Sequence, residues 1–181
     1  MGTVKIRQVK REIRVLGIAV RPSRDGDRLH VVGVVFRGGL WLDGVMRTTA
    51  PGPNVTGSLA EMIVASPHHP QIRVILLHED LIEGGAYIDP FTLSETTSRP
   101  VIAISADHAP PTAREAETAT AVHRFEVRRG DAVLRILSVG LRTRDASRVL
   151  DVSTRTGTLP EALRVADLVA SAVAGCDEQN I

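Results

Sequence analysis

Cysteine is nearly missing from this chain: Cys176 is the single one among 181 residues. A lone thiol excludes an internal disulfide, and a reducing cytoplasm is the compartment expected for such a chain. Long apolar runs are also missing. None approaches the roughly 20 residues a bilayer span requires, and the basic N-terminus is not followed by an apolar stretch long enough for a signal peptide. No membrane attachment is expected. Charge of one sign is not in excess either. The 22 Lys and Arg residues against 21 Asp and Glu leave a formal charge of +1, which gives no overall pull toward nucleic acid. Three catalytic signatures are absent: the P-loop, a G-x-G-x-x-G after a strand, and G-x-S-x-G. Cys176 has no histidine near it in sequence, which argues against a reactive thiol. Ser66 beside His68 and His69 is chain proximity, not triad geometry.

What is present is a chain that is 43% hydrophobic, long enough to bury a core as one domain spanning residues 1–181. Lysine occurs only at Lys5 and Lys10, and Asn, Gln and Met are scarce. Such usage fits a thermophile and equally a GC-rich genome. The basic residues are unevenly placed. Lys5, Arg7, Lys10, Arg11 and Arg14 face only Glu12 in the first fourteen positions. Such an arm suits phosphates, DNA or RNA being the candidate partners. The competing reading is a solvated edge strand guarded by charge, and the lack of any aromatic residue among those charges favours it.

Hydrophobic patterning divides the chain into short elements. Residues 13–20, 29–37 and 40–49 read as three strands, the last two joined by Gly38-Gly39. In the third, Leu40, Leu42 and Gly44 are expected on one face and Trp41, Asp43 and Val45 on the other. A helix over 54–65 directs Leu59, Met62 and Ile63 inward. Residues 72–77 are apolar except Arg73, which predicts a central strand covered on both faces. A short helix over 89–97 and a strand over 100–105 follow. Thr112 with Glu115 has capping-box spacing and predicts a helix to His123. Residues 132–141 read as a strand and 143–153 as a helix. Thr158 with Glu161 predicts a second capping box, opening a helix with a stripe of Leu159, Leu163, Ala166, Ala170 and Val173 that ends at Gly175. An antiparallel meander followed by β/α units makes an α/β mixed sheet flanked by helices, an order that matches the ribonuclease H-like architecture.

Five segments carry a wider resemblance: KIRQVKREIRVLGI at 5–18, VVGVVFRGGLWLDGVM at 31–46, QIRVILL at 71–77, PVIAIS at 100–105 and GTLPEALRVADLVASA at 157–172. Together they resemble an archaeal family, the domain-of-unknown-function ninety-nine family, that is related to endonuclease V. The resemblance implies a ribonuclease H-like domain similar to a nuclease that cuts near deaminated bases such as hypoxanthine. It also implies carboxylates on the first strand and at the end of the fourth that hold magnesium or manganese.

The sequence departs from that pattern where the metal is expected. Ala19 and Val20 stand where relatives carry two aspartates. His78-Glu79 replaces an Asp-Gly after the fourth strand, and Pro51 and Asn54 replace aspartates before the first helix. The acids that remain are Asp43, Glu79, Asp80 and Asp89. Asp43, His78, Glu79 and Asp80 are therefore the candidate catalytic set. His78 and Asp80, two apart on an extended chain, are the pair that converges on a metal such as zinc or manganese. The competing reading is polar loop residues at a strand exit. His68 and His69 lack a third ligand and read as loop decoration. The expected function is an endonuclease V-like protein with a degenerate metal site, acting as a nucleic-acid-binding or interaction module and needing no cofactor. Two alternatives stand beside it: a Mg²⁺- or Mn²⁺-dependent endonuclease on inosine-containing DNA or RNA, and a homo-oligomer that binds no nucleic acid.

Overall fold

The computed structural model describes residues 6, 8–24, 26–78, 86–105 and 122–176. Seven strands form one sheet in the order β3-β2-β1-β4-β5-β7-β6. They are β1 (Arg14–Pro22), β2 (Leu29–Arg37), β3 (Trp41–Ala50), β4 (Val74–His78), β5 (Val101–Ser105), β6 (Val122–Arg129) and β7 (Ala132–Val139). β1–β2–β3 is the expected antiparallel meander. β1 and β4 pair in parallel, as do β4 and β5, whereas β7 is antiparallel to β5 and β6. β4 lies at the centre of the sheet and is buried from Val74 to Leu77, as its apolar run requires.

Among the described residues four α-helices cover the two faces: α1 (Val55–Ala65), α2 (Pro90–Thr97), α3 (Thr143–Ser153) and α4 (Glu161–Cys176). Alternate residues of β1 feed two cores. Leu16 and Ile18 pack with Leu59, Ile63 and Leu93 on the α1/α2 side. Val15 and Ala19 pack with Val149, Leu163 and Ala166 on the α3/α4 side. Among the described residues no helix is long and apolar enough to cross a membrane.

Several expectations are corrected. The described part of the basic opening segment, residues 8–13, is not an edge strand. Residues Lys10 to Ile13 make a turn closed by Ile13 N–H donating to the Lys10 carbonyl at 3.1 Å, and Val9 is buried. The strict alternation of β3 fails because a bulge shifts the register: Leu42 pairs with Phe36 and Gly44 with Val35, leaving Asp43 as the extra residue. The helix predicted to end at His123 falls on residues 112–121, which lie outside those described, and Val122 and His123 open β6 instead. β6 alternates half-buried Phe125 and Val127 with exposed Arg124, Glu126 and Arg128. Gly130, at φ 59°, supplies the left-handed turn into β7. The capping box at Thr158 is not formed, because α4 begins at Glu161, whose carboxylate accepts from Arg164 Nε at 3.0 Å and Nη2 at 2.7 Å. The histidine pair is not loop decoration. His68 lies against Gly44, and a His69 ring nitrogen is 2.9 Å from the Thr97 carbonyl.

Helix α4 comes against the sheet backbone at Gly17. A Cβ built there would lie 2.3 Å from the Ala162 carbonyl carbon and oxygen and 2.6 Å from the Leu163 nitrogen. These are backbone atoms with no rotamer to move. Gly17→Ala is expected to destabilise the fold by about 3 kcal/mol or more, read as a melting temperature lower by roughly 6 °C or more. Wild-type stability in the alanine variant would show that α4 is free to shift.

Candidate functional site

The parallel β1 and β4 strands end on the same side of the sheet, where open α/β sheets hold their ligands. Gly17 pairs with Leu76, so two positions on, Ala19 is level with His78. A cavity of about 590 Å³ opens there, lined by Ala19, Val20, Arg21, His78, Leu163 and Asp167 among others. Ala19 and Val20 are 5% and 8% exposed and form part of an apolar floor. The α4 wall adds Arg164 and Asp167. Arg21 Nη2 donates to Asp167, and Arg21 Nη1 to the Val20 carbonyl at 3.0 Å. Asp167 escaped the sequence reading. Its signal was the helical stripe itself, which points Leu163 and Ala166 inward and so turns the adjoining Asp167 toward the strand end.

The candidate residues do not assemble into one site. His78 lines the cavity. Glu79, Asp80, Lys5 and Arg7 lie outside the described residues. Asp43 is two strands away on β3 and toward the opposite end of the sheet. Its carboxylate accepts from Arg14 Nε at 2.8 Å and from Arg37 Nη2 at 2.9 Å. Asp89 caps α2, accepting from Phe91 N–H at 3.0 Å and the Thr92 hydroxyl at 2.6 Å. Lys10 and Arg11 are exposed.

A hard divalent cation takes about six oxygen ligands, carboxylates foremost. Of the described residues lining the cavity, Asp167 alone is acidic, and Arg21 neutralises it. Among the described residues no group of three or more His, Cys, Asp or Glu converges. The described donor set does not fit magnesium or manganese.

Comparison with known proteins places this geometry. The chain resembles human endonuclease V (TM-score 0.64, 19% identity, 91% of this chain and 85% of that one). It also resembles Ciona intestinalis endonuclease V solved with a 23mer DNA containing an inosine followed by a ribo-adenosine (TM-score 0.63, 11% identity, 91% and 86%). The architecture is therefore the ribonuclease H-like fold of endonuclease V. Within it, the chain belongs to the endonuclease dU family, whose model matches residues 11–174. Relatives include a UPF0215 protein of Methanothermobacter thermautotrophicus, 36% identical over 96% of this chain and 93% of that protein. A protein of unknown function from Archaeoglobus fulgidus has a similar structure (TM-score 0.70, 28% identity, 88% and 97%).

Asp43 generates a pH prediction. Burial pushes its carboxyl up, but hydrogen bonds from Arg37 and Arg14 and their charges outweigh that and hold it below 3.8. A depressed folded pKa contributes stability that is present above the unfolded value and lost as pH falls through the folded one. Asp43→Asn is expected to cost about 1–2 kcal/mol at neutral pH. The gap from wild type should close as pH falls through the range below 3.8. Denaturant unfolding at several pH values checks this, and a gap independent of pH would contradict it.

Proposed function

We propose that this chain is an endonuclease V-like module that binds nucleic acid and has lost metal-dependent cleavage. The observation that carries the reading is the floor of the cavity. Ala19 and Val20 present hydrocarbon where the family resemblance implies paired aspartates, and the one described carboxylate on the wall is held by Arg21. Hydrocarbon offers a divalent cation no ligand, so the water activation and leaving-group stabilisation such a cation supplies are lost with it. What the cavity retains is an apolar bed whose arginines, Arg21 and Arg164, are paired with Asp167 and Glu161, a lining that among the described residues has no metal-holding group to activate water for cleavage. Endonuclease V of Ciona intestinalis has been solved with DNA, and nucleic acid is the partner proposed here.

Calorimetric titration with Mn²⁺ and incubation with an inosine-containing oligonucleotide test the loss of cleavage together. No saturable Mn²⁺ heat and intact substrate are expected. Mn²⁺-dependent cleavage that disappears in Glu79→Gln and Asp80→Asn would overturn the proposal in favour of an active nuclease built on His78, Glu79 and Asp80.

One observation favours a second reading, a homo-oligomer without nucleic acid. Edge strand β3 and its turn expose Leu40 (63%), Leu42 (54%) and Val45 (49%), an apolar edge of the kind that pairs with another chain. Sedimentation showing a dimer at micromolar concentration, with no retention of DNA or RNA at low salt, would put this reading in place of the first.

A further inference from the structure

The strand registers bring five residues from distant parts of the chain into one line. Trp41 pairs with Arg37, and Arg37 with Arg14. Arg73 N–H donates to the Arg14 carbonyl at 2.9 Å, one position before the Val15–Val74 pair. Ile75 pairs with Val101, which sets Arg99 level with Arg73. Residues in register project from one face of a sheet. Here it is the α1/α2 face, because Val35, Leu16, Ile75 and Val101, each two positions further into the sheet, are buried in that layer. The row Trp41–Arg37–Arg14–Arg73–Arg99 thus crosses the adjacent strands β3, β2, β1 and β4 and ends at the entrance to β5. At about 4.8 Å per strand the backbone positions of its four arginines span roughly 14 Å.

The row carries more positive charge than its partners cancel. Asp43 bridges Arg14 and Arg37. Arg99 is 8% exposed and donates only to carbonyls: Ile72 at 2.7 Å, Ser98 at 3.0 Å and His69 at 3.0 Å. Arg73 is exposed and has no ion pair among the described residues. Its charge acts on Arg99, whose pKa is pressed down first by burial and then by that neighbour. Like charges set side by side across strands destabilise a sheet, and an anion relieves that cost. Beside the row a groove of about 660 Å³ is lined by Lys10, Arg14, Gln71 and Arg73, with Glu12 its single acid. At the far end Trp41 is 61% exposed.

We propose that this row is a phosphate track for single-stranded nucleic acid, with Trp41 as the platform on which an unpaired base stacks. The accessible arginines of the row, Arg37, Arg14 and Arg73, offer guanidinium groups to a phosphodiester backbone, with buried Arg99 adding positive field behind them, and an exposed ring at its end accepts a base without regard to sequence. The track lies at the start of β1 and β4, at the opposite end of the sheet from the Ala19–His78 cavity. The inference rests on the nucleic-acid-binding reading above and moves the contact surface away from the cavity.

Trp41 is the only tryptophan in the chain, so its emission reports on the site directly. The full chain is titrated with oligothymidylate of about 12 nucleotides, a length within the usual single-strand site size, at low salt and then at rising salt. Saturable quenching is expected, with the logarithm of affinity falling against that of salt by about 0.7 per phosphate engaged. Arg73→Glu, an exposed change, should weaken binding roughly tenfold or more and reduce that slope. Trp41→Leu, followed by anisotropy of a labelled oligomer, should weaken it roughly tenfold. Binding that survives both changes and is lost in Arg164→Glu would seat the strand in the cavity, overturning the track while nucleic-acid binding stands. Polyglutamate competing as well as the oligomer would assign the row to an acidic protein segment and overturn the track as well. No binding of any oligonucleotide by the folded wild type at low salt would overturn both the track and the reading beneath it.

Discussion

Helix α4 reaches the sheet because β1 has no side chain at Gly17. The backbone of Ala162 occupies the space a Cβ would take, and close backbone approach of this kind is open only to glycine. That contact fixes the height of α4 above β1. It buries Leu163, Ala166 and Ala170 against the centre of the sheet. It also carries Arg164 and Asp167 out over the ends of β1 and β4, where they form one wall of the cavity. The cavity's position follows from this packing and from the parallel β1–β4 pair, not from any side chain in the cavity itself. The shape of this cavity therefore does not depend on acidic side chains within it.

The two ends of the sheet differ in charge. At the cavity end the described ionic groups are balanced in pairs, Arg21 with Asp167 and Arg164 with Glu161. At the other end stand four arginines, of which Arg14 and Arg37 are bonded to a carboxylate, Asp43. A net formal charge of +1 conceals this asymmetry, because field strength at a surface depends on where charges stand and not on their sum. The proposed loss of the cation site and the proposed phosphate track are thus linked. Attraction for a polyanion does not require the cavity, and a polyanion held at the arginine row lies away from the place where a metal would cut it.

Much of the fold is legible in the sequence because apolar periodicity is strong where the core is thick. The valine-rich meander, the central β4 and the stripe of α4 all follow from it. β6 was missed because it is an edge strand with only Phe125 and Val127 half-buried on its inner face, too weak an alternation to stand out beside charged neighbours. Asp43 was assigned to the candidate site because its segment resembles that of the relatives. The bulge that turns it toward Arg14 and Arg37 is a register effect that no local pattern encodes. The same limit hid the arginine row. Arg14, Arg37, Arg73 and Arg99 lie on four different strands or strand entrances, and only the pairing sets them level. The opening basic segment showed no aromatic residue among its charges, yet the sheet supplies Trp41 from another strand. Ala19 and Val20, by contrast, stand out in the sequence as hydrocarbon inside a short buried strand, and the resemblance is what makes an acid expected there.

The central claim is that the strand end beside Ala19 does not hold a divalent ion. Crystals of the full chain grown with millimolar Mn²⁺, measured at the manganese absorption edge, give the most direct test through anomalous scattering. The expected map has no anomalous peak between Ala19 and His78. A peak there, coordinated by two or more carboxylate oxygens supplied from elsewhere in the chain, would contradict it.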